Sequence, residues 1–133
     1  MLLKTPSPAV TAGEGVFNSI GCADCHTATL TSGASNIAAL ANKTYHPYSD
    51  FLLHDMGTSG DGIGAMGRAT RTEMRTAPLW GLRGIETFLH AGNAVLISEA
   101  IERHRGQGNA AATRFNNLTS TQRGQILAFL NSL

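Results

Sequence analysis

Both cysteines of this 133-residue chain lie in one short run, Cys22-Ala23-Asp24-Cys25-His26, and that run limits the fold more than any other feature. The C-x-x-C-H spacing sets two thiols where they can add across the two vinyl groups of a haem, and the next residue then falls on the iron as proximal ligand. A redox dithiol of the thioredoxin kind follows a strand and opens a long helix, whereas here Gly21 precedes the motif and Thr27-Ala28-Thr29 follows it. A structural zinc site wants four ligands, and His46, His54, His90 and His104 supply no second pair at short spacing. The run therefore reads as a c-type attachment site: one haem c joined to Cys22 and Cys25, with His26 on its iron. Both thiols are used, so no disulfide is left to draw.

The length suits a single domain over residues 1–133, and with aromatics at 6% there is little bulk for a core that a buried haem would otherwise supply. A formal net charge of +1, without a basic or acidic run, argues against nucleic acid or a membrane surface as partner. No apolar stretch reaches the length of a membrane span, and Met1-Leu2-Leu3-Lys4 lacks the hydrophobic region of a signal peptide. Bacteria attach haem covalently outside the cytoplasm. The expected location is therefore periplasmic or otherwise extracytoplasmic, with the export signal outside this sequence.

Two amphipathic helices are expected to bracket the chain. After Thr5-Pro6-Ser7-Pro8, a T-x-x-E capping box at Thr11 and Glu14 opens a helix that turns Val16, Phe17 and Ile20 inward and leads directly into the haem motif. A second box at Thr119 and Gln122 opens a helix with Ile126, Leu127, Leu130 and Leu133 at helical spacing. The pair resembles the class I cytochrome c fold, in which such helices cross at a small residue and an aromatic. Gly13, Phe17 and Phe129 would make that contact here, which gives an all-α expectation with long irregular loops between the helices.

The middle reads as loop: residues 27–49 mix Thr, Ser, Asn and Ala, Tyr45-His46-Pro47-Tyr48 is a turn, and 57–67 is glycine-rich. Gly62, Gly64 and Gly67 spell G-x-G-x-x-G, but no strand precedes them, so a dinucleotide site is rejected. Asp55 and Asp61 lack the regular spacing of a calcium loop.

The sixth iron ligand decides between a saturated and a reactive iron. Ser98 as cap, Glu99 in the first turn and Gly106 and Gly108 at the end suggest a short helix over 98–105. There Ile97, Ile101 and His104 share a face, which makes His104 the leading ligand. Met56, Met66 and Met74 follow, then His54, His90 or an open site; none of the methionines precedes a proline.

Four ordered segments carry a wider resemblance: Tyr48-Ser49-Asp50-Phe51-Leu52-Leu53-His54-Asp55-Met56-Gly57, Arg75-Thr76-Ala77-Pro78-Leu79-Trp80-Gly81-Leu82, Phe88-Leu89-His90-Ala91-Gly92 and the 98–104 run. Together they resemble the C-terminal haem domain of the bacterial di-haem cytochrome c peroxidase-like family, nearest its di-haem or thiol oxidoreductase branch. In related peroxidases the helix after the His-x-Gly loop carries the distal ligand, commonly methionine, at the position of His104. The resemblance thus implies a bis-histidine iron. It also shows departures: the upstream, substrate-facing haem domain is absent, the His-Asp-Gly-Arg loop reads His90-Ala91-Gly92-Asn93, and Gly-Gly-Glu is replaced by Arg105-Gly106-Gln107.

The leading expectation is an electron carrier between redox partner proteins, with His26 and His104 on the iron and no catalytic residue. The alternatives are a peroxidase-like or thiol-oxidising haem enzyme or its electron-relay half, and a haem sensor in which a small ligand displaces His104. Arg75 and Trp80 are the expected donors to the haem propionates, because an unpaired carboxylate in an apolar pocket is costly. His90 is a candidate proton or electron relay, His54 reads as a loop anchor beside Asp55, and His46 reads as exposed.

Overall fold

Helix α1 spans Pro8–Ser19 in a computed structural model that describes residues 6–59 and 67–133. It starts ahead of the expected Thr11/Glu14 box. The Ser7 hydroxyl accepts from the Val10 amide at 3.3 Å, and Pro8 takes the first helical position, where its missing N–H leaves nothing unsatisfied. Thr11 and Glu14 sit inside the helix. At the other end, helix α4 spans Ser120–Leu130 behind the expected box, with Thr119 Oγ1 accepting from the Gln122 amide.

These two helices make the core. Gly13, Phe17 and Ile20 meet Ile126, Phe129 and Leu130, and the Phe17 and Phe129 rings lie 5.3 Å apart, tilted at 61°. The close crossing depends on Gly13. A Cβ there would lie 2.0 Å from the Gln125 carbonyl oxygen and 2.8 Å from Phe129 Cβ. Helix α3, Asn109–Asn116, adds fully buried Phe115; the sequence reading did not foresee it.

The all-α expectation is corrected by two small antiparallel sheets. Strand β1, Leu30–Thr31, pairs with β2, Thr44–Tyr45; β3, Leu53–Asp55, pairs with β4, Glu73–Arg75, in the register Leu53 to Arg75 and Asp55 to Glu73. The chain is mixed α and β. Strands of two or three residues are shorter than any alternation that a sequence pattern can display. The second sheet ties residues 52–55 to residues 73–76, so it bears directly on the surroundings of His54.

Helix α2 is also shorter than expected, Ile97–Glu102, and its cap residue is Leu96 instead of Ser98. The Glu99 carboxylate, in the first turn, accepts from the Val95 amide and so ties the helix to the residue before its cap. Among the described residues, no helix is long and apolar enough to cross a membrane, and no buried side-chain polar atom lacks a partner.

Candidate haem-binding site

The chain leaves α1 at Ile20 and turns sharply at Gly21, whose φ of 88° is the left-handed conformation glycine tolerates. A short 3-10 turn over Cys22–Asp24 follows, and the His26 amide donates to the Cys22 carbonyl at 2.9 Å. This compact turn holds both thiols and the histidine together. Burial pushes the Cys22 thiol up to about 12, with nearby Asp24 adding to it. Cys25 is also raised, by burial first and then by Asp50 and Asp24.

His26 Nδ1 lies 2.9 Å from the Tyr48 carbonyl oxygen. A carbonyl can only accept, so Nδ1 carries the proton and Nε2 keeps its lone pair. Burial lowers the His26 pKa; the Tyr48 hydrogen bond works against this, and His104 adds to the lowering. The ring is therefore neutral at neutral pH, the form that binds a metal.

His104 repeats the arrangement. Its amide donates to the Ile101 carbonyl at 3.1 Å, so it stands just past the end of α2, not on the helix as expected. Its Nδ1 donates to the Ala100 carbonyl at 2.8 Å, which again leaves Nε2 with the lone pair. Beside it, a Cβ on Gly108 would stand 3.1 Å from His104 Cβ, from His104 Cδ2 and from Met56 Cε. Met56 and His104 thus converge on one glycine, Gly108.

The strap from Tyr48 to His54 is the part of the site that sequence reasoning missed. Tyr48 and Phe51 have φ of 49° and 58°, left-handed values that cost energy in bulky residues and persist where surrounding bonds dictate them. Those bonds are present. The Ser49 amide donates to Thr27 O and the Asp50 amide to Cys25 O, both at 2.9 Å, while fully buried Ser49 donates its hydroxyl to Thr76 O and accepts from the Phe51 amide. The bend brings Asp50 Oδ2 within 2.7 Å of His54 Nε2, and His54 Nδ1 within 3.7 Å of Cys25 Sγ. His54 is therefore paired with Asp50 and not with Asp55. Burial alone would raise the Asp50 carboxyl, but hydrogen bonds from the Leu52 amide, His54 and Thr76 outweigh it and hold the group below its ordinary 3.8. The i, i+4 spacing of Asp50 and His54 gives no warning in a segment that reads as extended.

The remaining expectations fall around this centre. Arg75, in β4, places its guanidinium 5.7 Å from the centroid of the Phe51 ring, and half-exposed Trp80 stands 6.4 Å from the same ring and 6.3 Å from Tyr45. Arg75 and Trp80 thus flank the strap through Phe51. Met74 pairs with His54 across the β3/β4 sheet. His46 is exposed and bonded to Thr29 Oγ1, and His90 is exposed in the loop after Phe88. Met66, Asp61, Gly62 and Gly64 lie outside the described residues.

Residues 4–133 match the family described as "Di-haem oxidoreductase, putative peroxidase". The chain belongs to this di-haem oxidoreductase family. No curated protein and no solved structure matches it. Membership in a haem-binding family agrees with the donor set of this chain: two thiols at haem spacing and two imidazoles whose Nδ1 bonds leave the lone pair on Nε2. The residues present fit the group.

Proposed function

We propose that this chain is a c-type haem domain that passes single electrons between partner proteins. One haem would be joined through Cys22 and Cys25, and His26 and His104 are the residues that would hold its iron. The carrying observation is the matched pair of histidines, each with Nδ1 committed to a backbone carbonyl, at 2.9 or 2.8 Å. When bound, the haem supplies a reversible one-electron couple; the protein holds it, fixes the ligand tautomers and keeps the iron saturated. Arg75 and Trp80 hold the propionate side, the partners are redox proteins, and the location is outside the cytoplasm.

The family description favours a second reading, a peroxidase or the relay half of one. The two separate on the absorption spectrum of the purified protein, taken oxidised, reduced, and reduced under carbon monoxide. A low-spin spectrum without the far-red sulfur-to-iron band, unmoved by carbon monoxide, is the outcome expected for His26/His104 ligation. A ready carbon monoxide complex, or peroxide turnover by the chain, would overturn the carrier.

A further inference from the structure

Asp50, His54 and Cys25 form a compact cluster that the electron-carrying role does not use. Their three ligand-type atoms lie within 4.8 Å of one another and all three residues are partly buried. Which atom of His54 faces which neighbour matters. Asp50 Oδ2 is 2.7 Å from His54 Nε2, and an ionised carboxylate only accepts, so the ring proton is on Nε2. His54 Nδ1 then carries the lone pair, and it faces Cys25 Sγ at 3.7 Å. A thiol in that place donates its S–H to Nδ1.

Two features show that the cluster is held firmly. Asp50 is fixed at both ends, by its amide on the Cys25 carbonyl and by Oδ1 on the Leu52 amide, at 2.9 Å each. The bend that makes the approach possible uses the left-handed Phe51, between Asp50 and His54. Cys22, the other thiol of the motif, belongs to no such cluster among the described residues. The two thiols are therefore unequal.

We infer that His54, braced by Asp50, is the positioning residue for thioether formation at Cys25. This rests on the covalent haem attachment proposed above. The step is an addition: the Cys25 S–C bond forms at the vinyl carbon next to the porphyrin ring, the vinyl π bond breaks, and the thiol hydrogen ends on the terminal carbon. No oxidant or reductant is consumed. His54 contributes by holding the S–H bond in one direction, which fixes the sulfur lone pairs that must meet the vinyl carbon. Cys22 forms its bond without such help.

The test compares the full wild-type chain with His54→Leu and His54→Asn, each produced in a host that attaches haem covalently. Leucine fills the space without an acceptor, and the asparagine amide oxygen occupies the place of Nδ1. Intact mass and the reduced pyridine haemochrome spectrum report how many vinyls remain, and peptide mapping reports which cysteine is linked. In His54→Leu the fraction linked through Cys22 alone should rise about tenfold over wild type, the ratio that one hydrogen bond of ordinary net worth corresponds to. His54→Asn should return it toward the wild-type value. If both thioethers form as completely in His54→Leu as in wild type, or if both are lost together, the positioning role is wrong while the attachment reading stands. Wild type without covalent haem would remove the attachment reading, and the inference with it.

Discussion

Replacing Gly13 and Gly15 by alanine should move stability in opposite directions, although both lie in α1 and gain the same helix propensity. That gain is about 0.5–1 kcal/mol for alanine over glycine. At exposed Gly15 nothing lies within 4 Å of the new Cβ, so Gly15→Ala should be stabilising by roughly that amount. At Gly13 the new Cβ meets the Gln125 carbonyl oxygen at 2.0 Å and the carbonyl carbon at 2.6 Å, and backbone inside a helix cannot turn aside as a side chain can. Restoring ordinary contact moves α4 outward by about 1.4 Å, enough to forfeit more than half of the dispersion well at each atom pair facing Phe17, Ile126 and Phe129. Overpacking costs about 1–3 kcal/mol, and a rigid obstacle places this site near the upper end. After the propensity gain, Gly13→Ala should lose about 2 kcal/mol. For a chain of this size that is roughly 6–10 °C in Tm. Denaturant titration of the haem-loaded proteins, followed by far-UV circular dichroism, reads both shifts as changes in midpoint at constant slope. A Gly13→Ala protein as stable as wild type would refute the claim that the glycine sets the crossing.

Three further outcomes follow from the site. Ser49→Ala removes the acceptor of the Phe51 amide and the donor to Thr76 O in a fully buried position, and should cost about 1–3 kcal/mol in the same titration. Asp50 lies below its ordinary 3.8, so its contribution is complete above that value and drains away as pH falls toward the lower folded value. Wild type should therefore lose midpoint more steeply than Asp50→Asn below about pH 4, and parallel curves would count against the Asp50 network. Finally, His104→Met should introduce the far-red sulfur-to-iron band and raise the reduction potential, read by redox titration; an unchanged spectrum would remove His104 from the iron.

Sequence patterns reached the parts of this molecule that repeat or follow a local rule. The C-x-x-C-H run and the Thr119/Gln122 box depend on residues within a few positions, whereas the meeting of Gly13, Phe17 and Phe129 is what the resemblance to the class I cytochrome c fold implies. What stayed hidden depends on bends. The Tyr48 carbonyl that orients His26, and the approach of Asp50 and His54 to Cys25, exist because two bulky residues adopt left-handed φ, which no residue type there announces. The β3/β4 sheet escaped because its strands are too short to alternate, and α3 because its buried residues, Ala112 and Phe115, give only one apolar step. The expectation for His104 rested on a helix that stops before it; in the structure its amide and Nδ1 still bond back to the carbonyls of Ile101 and Ala100.

The pairing of the first helix with the last has a consequence for the order of events while the chain is being made. The haem motif at residues 22–26 follows directly on α1, but the surface that buries α1 lies on α4, roughly a hundred residues later, which is about 5–20 s at ordinary rates of synthesis. Throughout that interval Phe17 and Ile20 have no partner helix, and the two thiols stand beside an unfinished core. The two thiols are therefore presented before they can be sheltered, and it is the docking of α4 on α1, the last helix on the first, that ends the period in which the cysteines can be reached.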